Sequence, residues 1–163
     1  MSGFKKRPLT STFGLELTGI DLSKTMVDED FAALRQNFSE AGILLFRGQG
    51  HISPADQVNF SQRFGVLEEH VLTQFLLPDY PEIFVVSNII EGGKHIGAHG
   101  GSKEYHSDLA YLEEPSLGSV FRCLECPESG GETSFVSMAA AYDALPKKLQ
   151  GIFDKLDAVY DYA

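Results

Sequence analysis

The chain has 163 residues, the length of one ordinary domain, and its 43% hydrophobic and 11% aromatic content suits a packed core rather than a disordered chain. Its 23 acidic and 13 basic side chains give a formal net charge of −10, which argues against a nucleic-acid backbone or an anionic membrane surface as partner. No apolar run approaches the length of a membrane span, and the basic Lys5-Lys6-Arg7 start has no apolar stretch behind it, so a soluble cytoplasmic protein is the expectation.

In chain order, residues 1–22 read as an irregular start followed by a short strand or hairpin around 15–20. From 28 to 41, Phe31, Leu34, Phe38 and Ala41 recur at spacings of three and four behind an acidic first turn, which predicts an amphipathic helix ended by Gly42. The short apolar run 43–46 predicts a buried strand, and Arg47-Gly48-Gln49-Gly50 a turn. Ser53-Pro54 opens a second helix, with Ser as N-cap and Pro in the first position; Val58, Ser61 and Phe64 mark its inner face and Gly65 closes it.

Residues 83–86 predict the next buried strand, and the glycine- and histidine-rich stretch 91–104 a loop. Strands at 105–112, 117–126 and 133–136 follow at turn-separated intervals, the pattern of an antiparallel sandwich. An Ala-rich helix after Ser137, a helix past Pro146 with Leu149, Ile152, Phe153 and Leu156 on one face, and the beginning of a strand at 158–163 complete the chain. With no repeat or linker, residues 1–163 read as a single domain.

The chemistry centres on Tyr105-His106-Ser107-Asp108. On a strand, His106 and Asp108 would point to one face, roughly 7 Å apart at Cα. An imidazole and a carboxylate so placed are two arms of a facial triad of two histidines and one carboxylate, which leaves positions open on a ferrous ion. Such a pair arises readily by chance, and its weight comes from its surroundings. Cys123 and Cys126 fall on opposite faces of their strand and read as ordinary strand residues. His95 and His99 have metal-like spacing only on a helix, against which the intervening glycines argue. His70, after Glu68-Glu69, reads most simply as a solvent-exposed loop residue.

The ordered set Gly19-Ile20-Asp21-Leu22, Gly42 to Arg47, Arg63-Phe64-Gly65, His106-Ser107-Asp108, Glu114-Pro115, Pro127…Gly130-Gly131-Glu132-Thr133 and Ala139 to Leu145 resembles the taurine and 2,4-dichlorophenoxyacetate dioxygenase family. Tyr105 stands where many relatives carry Trp. The resemblance implies an α+β, mainly β fold: a double-stranded β-helix, the clavaminate synthase-like jelly roll, with flanking N-terminal helices. It implies an Fe(II)- and 2-oxoglutarate-dependent dioxygenase that uses O₂ to hydroxylate a small, anionic organic substrate, with succinate and CO₂ as co-products. His106 and Asp108 would be catalytic and metal-binding, Thr133 would bind a carboxylate of 2-oxoglutarate, and His70 would contact the substrate's anionic group.

Members of that family continue well past this length, so a truncated form is expected, without the distal His and the Arg for the far carboxylate of 2-oxoglutarate. A homo-oligomer or a complementing C-terminal fragment is the corresponding partner expectation. Two other readings stand beside this one: a non-catalytic remnant or half of a split protein, and a zinc-dependent hydrolase built on the histidine-rich loop and Asp108.

Overall fold

The structure is a computed structural model that describes residues 3–100 and 104–160. Its first half is built on a three-stranded sheet. Strand β1 (Lys5–Pro8) runs antiparallel to β2 (Leu15–Thr18), with Lys5 opposite Thr18 and Pro8 opposite Leu15. Strand β3 (Leu44–Phe46) lies parallel to β2, with Leu15 opposite Leu44 and Leu17 opposite Phe46. Parallel neighbours need a crossover, and helix α1 (Asp28–Ala41) supplies it, ending where Gly42 turns left-handed and donates to the Phe38 carbonyl at 2.8 Å. Asp28, Glu29 and Asp30 sit at the positive end of its dipole.

Helix α2 (Pro54–Gln62) begins in a capping box: Ser53 Oγ accepts from the Asp56 amide and the Asp56 carboxylate accepts from the Ser53 amide. Its buried face is Val58 and Phe60. Ser61, expected to face inward, instead bonds its own helix, donating to the Gln57 carbonyl at 2.7 Å. Phe4, Leu17, Phe31, Leu34 and Phe60 form the core, with Phe46 and Phe64 packed against it. The rings meet edge to face: Phe31 on Phe64 at 5.0 Å, Phe60 on Phe64 at 5.5 Å and Phe46 on Phe60 at 5.8 Å. Arg63 closes this cluster, its guanidinium 4.1 Å from the Phe31 centroid and bonded to Asp28 at 2.6 Å.

Two short hairpins follow. Strand β4 (Leu76–Leu77) pairs with β5 (Tyr80–Phe84), so the strand predicted at 83–86 lies earlier, and Val86 is exposed. The loop predicted at 91–104 contains part of the second hairpin, β6 (Ile90–Glu91) with β7 (Lys94–His95). Gly92 and Gly93 join them at φ 56° and 81°, the pair of left-handed residues that a tight two-residue hairpin turn requires.

The strands predicted at 105–112, 117–126 and 133–136 do not form. Among the described residues no strand follows β7, and the sheets are too small to close a jelly roll. Two causes are visible. At Leu109 the backbone is left-handed, φ 55°, and the Leu112 amide donates to the Leu109 carbonyl at 3.0 Å, so the chain turns where a strand was expected. Beyond it, no described strand lies alongside 117–126 or 133–136 to complete a ladder, and Leu117, Phe121, Leu124 and Phe135 stay exposed.

Helix α3 (Met138–Asp143), capped by Ser137, and helix α4 (Lys147–Phe153), begun after Pro146, end the described fold. Buried Gln150 ties them by donating to the Tyr142 carbonyl at 2.9 Å, while Leu149, Ile152, Phe153 and Leu156 leave an apolar face open. Residues 158–160 are not a strand, and 161–163 lie outside the described residues.

Candidate metal centre

His106 and Asp108 converge although they do not lie on a strand. The Nε2 of His106 is 3.3 Å from Oδ1 of Asp108, and about half of each side chain is exposed. The other ring nitrogen, Nδ1, is 2.9 Å from the Glu104 carbonyl oxygen. A carbonyl only accepts, so Nδ1 carries a proton, and in the neutral tautomer of the ring the Nε2 lone pair faces the carboxylate. Two acceptors facing each other at this distance call for a cation between them, either a second proton on the ring or a metal ion.

The separation fits a metal. Two cis ligands at about 2.1–2.2 Å in an octahedral shell stand about 3.0 Å apart, within a few tenths of that seen here. Imidazole nitrogen with carboxylate oxygen also matches the taste of a first-row divalent ion. The carbonyl held by Nδ1 is the outer partner that fixes a ligating histidine's tautomer. Among the described residues, however, no group of three or more His, Cys, Asp or Glu side chains gathers around one point.

The second oxygen of Asp108 has its own partner: Ser119 Oγ donates to Oδ2 at 3.0 Å. The segment carrying Ser119 is fastened on both sides. Gly118 lies against α1, where an added Cβ would sit 2.9 Å from Cζ of Phe38. The Val120 carbonyl accepts from Gln57 Nε2 of α2 at 3.3 Å. Sequence reasoning missed Ser119, Gly118 and Phe38 as parts of this site. A serine eleven residues past the aspartate in an apolar run carries no spacing signal, since only the turn at Leu109 brings it back.

The other predicted residues are more scattered. Thr133 is exposed in the segment after the Gly130-Gly131 turn. His70, expected in solvent, is half-buried: its ring stacks on Phe84 at 4.1 Å, and its Nδ1 accepts from the Leu72 amide at 3.0 Å. That bond leaves the proton on Nε2. His95 and His99 stack face to face, 3.6 Å apart and 12° from parallel, so their lone pairs, which lie in the ring planes, do not converge. Cys123 and Cys126 are exposed and unbridged. Two surface concavities, one at the β1–β2 loop and one between α1 and the start of α3, include none of the predicted site residues.

Comparison with known proteins identifies the family of the chain. The chain is 31% identical over 160 residues to an alkylsulfatase from Acinetobacter baylyi, covering 96% of the chain and 48% of that protein. It is 33% identical over 143 residues to pentalenolactone F synthase from Streptomyces avermitilis, covering 86% and 47%. Over 161 residues it is 30% identical to the alpha-ketoglutarate-dependent 2,4-dichlorophenoxyacetate dioxygenase of Cupriavidus pinatubonensis, covering 93% and 56%. The chain thus spans about half the length of these relatives. A solved taurine dioxygenase from Burkholderia xenovorans superimposes with a TM-score of 0.79 at 23% identity, covering 94% of this chain and 51% of that one, so its fold is shared over that part. The profile of the family described as taurine catabolism dioxygenase TauD, TfdA matches residues 5–163, and the chain belongs to that family.

Proposed function

We propose that this chain carries the metal- and cosubstrate-facing part of an Fe(II)- and 2-oxoglutarate-dependent dioxygenase acting on a small anionic organic molecule. The overall reaction is R–H + 2-oxoglutarate + O₂ → R–OH + succinate + CO₂. The observation that carries the reading is the 3.3 Å approach of His106 Nε2 to Asp108 Oδ1, with the histidine's other nitrogen held by a backbone carbonyl. Bound there, ferrous iron supplies the O₂ chemistry that breaks an unactivated C–H bond.

The chain's own side chains bind and orient. His106 Nε2 and Asp108 Oδ1 are the two ligands, and Thr133 donates its hydroxyl to a carboxylate of 2-oxoglutarate. His70 offers Nε2–H to the anionic group of the substrate, its ring steadied by Phe84. The relative named for 2,4-dichlorophenoxyacetate, a carboxylate, supports an anionic substrate class. Segments 117–126 and 133–136, largely exposed and outside any strand here, would become strands of a double-stranded β-helix on pairing with further strands, on the same polypeptide or on a complementing one. On this reading residues 1–163 are one portion of a single catalytic domain, working in the cytoplasm.

The test is a cobalt(II) titration followed by visible absorption, with and without 2-oxoglutarate. Binding that is lost in His106→Ala and in Asp108→Ala, and a spectrum that changes with 2-oxoglutarate in the native sequence but less in Thr133→Ala, are the expected results. Cobalt binding indifferent to both ligand substitutions overturns the proposal.

A further inference from the structure

We propose that Ser119 is a positioning residue that restricts Asp108 to a single ligating oxygen, Oδ1; this rests on the reading of His106 and Asp108 as metal ligands. A carboxylate can bind a metal through one oxygen or both, and the two modes occupy different numbers of coordination positions. In an octahedral shell, three positions remain after three single-atom protein ligands, and a chelating carboxylate removes one of them. A cosubstrate that binds through two oxygens, together with O₂, needs all three.

The geometry separates the two carboxylate oxygens of Asp108. Oδ1 faces His106 Nε2 at 3.3 Å, and Oδ2 accepts the Ser119 hydroxyl at 3.0 Å. Turning the carboxylate to present both oxygens to one ion would break the serine bond. Ser119 has little room to follow such a turn. On one side Gly118 lies in contact range of the Phe38 ring, where an added Cβ would be 2.9 Å from Cζ. On the other, Gln57 holds the Val120 carbonyl at 3.3 Å, and Arg122 reaches the Gly50 carbonyl at 3.4 Å. Helices α1 and α2 thereby fix the direction from which the hydroxyl meets Asp108. The bond is exposed and contributes little to folding, so its consequence is orientation. Hydrogen-bonded outer partners of ligating carboxylates have this effect elsewhere, at about 10–100-fold in metal affinity when removed.

The experiment uses the 163-residue chain, cobalt(II) as probe, and two readouts. One is cobalt affinity by visible absorption; the other is the separation of the carboxylate stretching bands in the infrared, which distinguishes one-oxygen from two-oxygen binding. Ser119→Ala is expected to weaken cobalt binding about tenfold and move the bands to the two-oxygen pattern, while Ser119→Thr keeps both near the native values. Gly118→Ala, which displaces the segment while retaining the serine hydroxyl group, is expected to move the bands in the same direction. If His106→Ala and Asp108→Ala abolish binding while Ser119→Ala matches the native chain in affinity and bands, the role of Ser119 is overturned and the ligand assignment stands. If cobalt binding does not depend on His106 and Asp108, the assignment falls and the role of Ser119 with it.

Discussion

The imidazole of His70 lies nearly flat on the ring of Phe84, with centroids 4.1 Å apart and planes 28° from parallel, and is pinned by the Leu72 amide on its Nδ1. The ring therefore presents one fixed donor, Nε2–H. In nitrogen-detected NMR above neutral pH, His70 is expected to show the Nε2–H tautomer, with ring protons shifted upfield by Phe84. Phe84→Leu is expected to abolish that shift and to cost on the order of 1 kcal/mol, the worth of a ring pair. A His70 spectrum unchanged by Phe84→Leu would contradict the stacking.

A second prediction concerns acid. The Glu16 carboxyl is held below its ordinary value of 4.5, first by its hydrogen bond to Arg7, with Arg47 also 3.3 Å away. Asp21 is lowered by Ser23, His51 and Lys24, and Asp56 by Ser53. Each group binds a proton less readily folded than unfolded, so its contribution is present above about pH 4.5 and is lost as pH falls through the folded values. Thermal stability followed by circular dichroism is expected to hold from pH 7 to 5 and then decline, with a shallower decline in Glu16→Gln. A melting temperature that rises or stays level on acidification to pH 3 would count against it.

On catalysis, the proposed reading gives the described residues two converging ligands, His106 and Asp108, and two ligands hold a divalent ion loosely. With ferrous iron, 2-oxoglutarate and O₂, the 163-residue polypeptide by itself is expected to release no succinate above a His106→Ala control. Robust turnover that depends on His106 would show that a third ligand is already present in the chain.

The exposed side chains of Phe121, Leu124, Phe135, Ile152, Phe153 and Leu156 predict self-association. Burying 400 Å² of such surface is worth about 10 kcal/mol, comparable with a domain's net stability. Analytical ultracentrifugation of the isolated polypeptide is expected to show oligomers or aggregate. A monomer with one cooperative melting transition is the result that would refute this.

The sequence was most readable where local chemistry and packing agree. The spacing of Phe31, Leu34 and Ala41 predicted α1 to the residue, because one face of that helix is buried and Gly42 ends it. Ser53-Pro54 announced α2, since capping is a contact within four residues. The later segments misled because apolar runs set off by turns announce a readiness to pair, whereas a ladder needs a neighbour. At the site, the pairing of His106 with Asp108 was legible from the ordered motifs around them rather than from spacing alone, and a turn after Asp108 rather than a strand surrounds them. Ser119 was not legible, because its approach depends on Phe38 and Gln57, each far away in sequence.

The parallel pairing of β2 with β3 across α1 also sets an order in time. Every residue of the core cluster lies between Phe4 and Phe64, so that unit is complete in sequence before His106 is translated. At about 5–20 residues per second, the roughly 40 residues from Gly65 to His106 take about 2–8 s to synthesise. A two-layer unit of this size, even with a parallel crossover, typically folds within about a second, inside that interval. The surfaces of Phe38 and Gln57 are therefore expected to be in place on the nascent chain before the loop that they meet emerges.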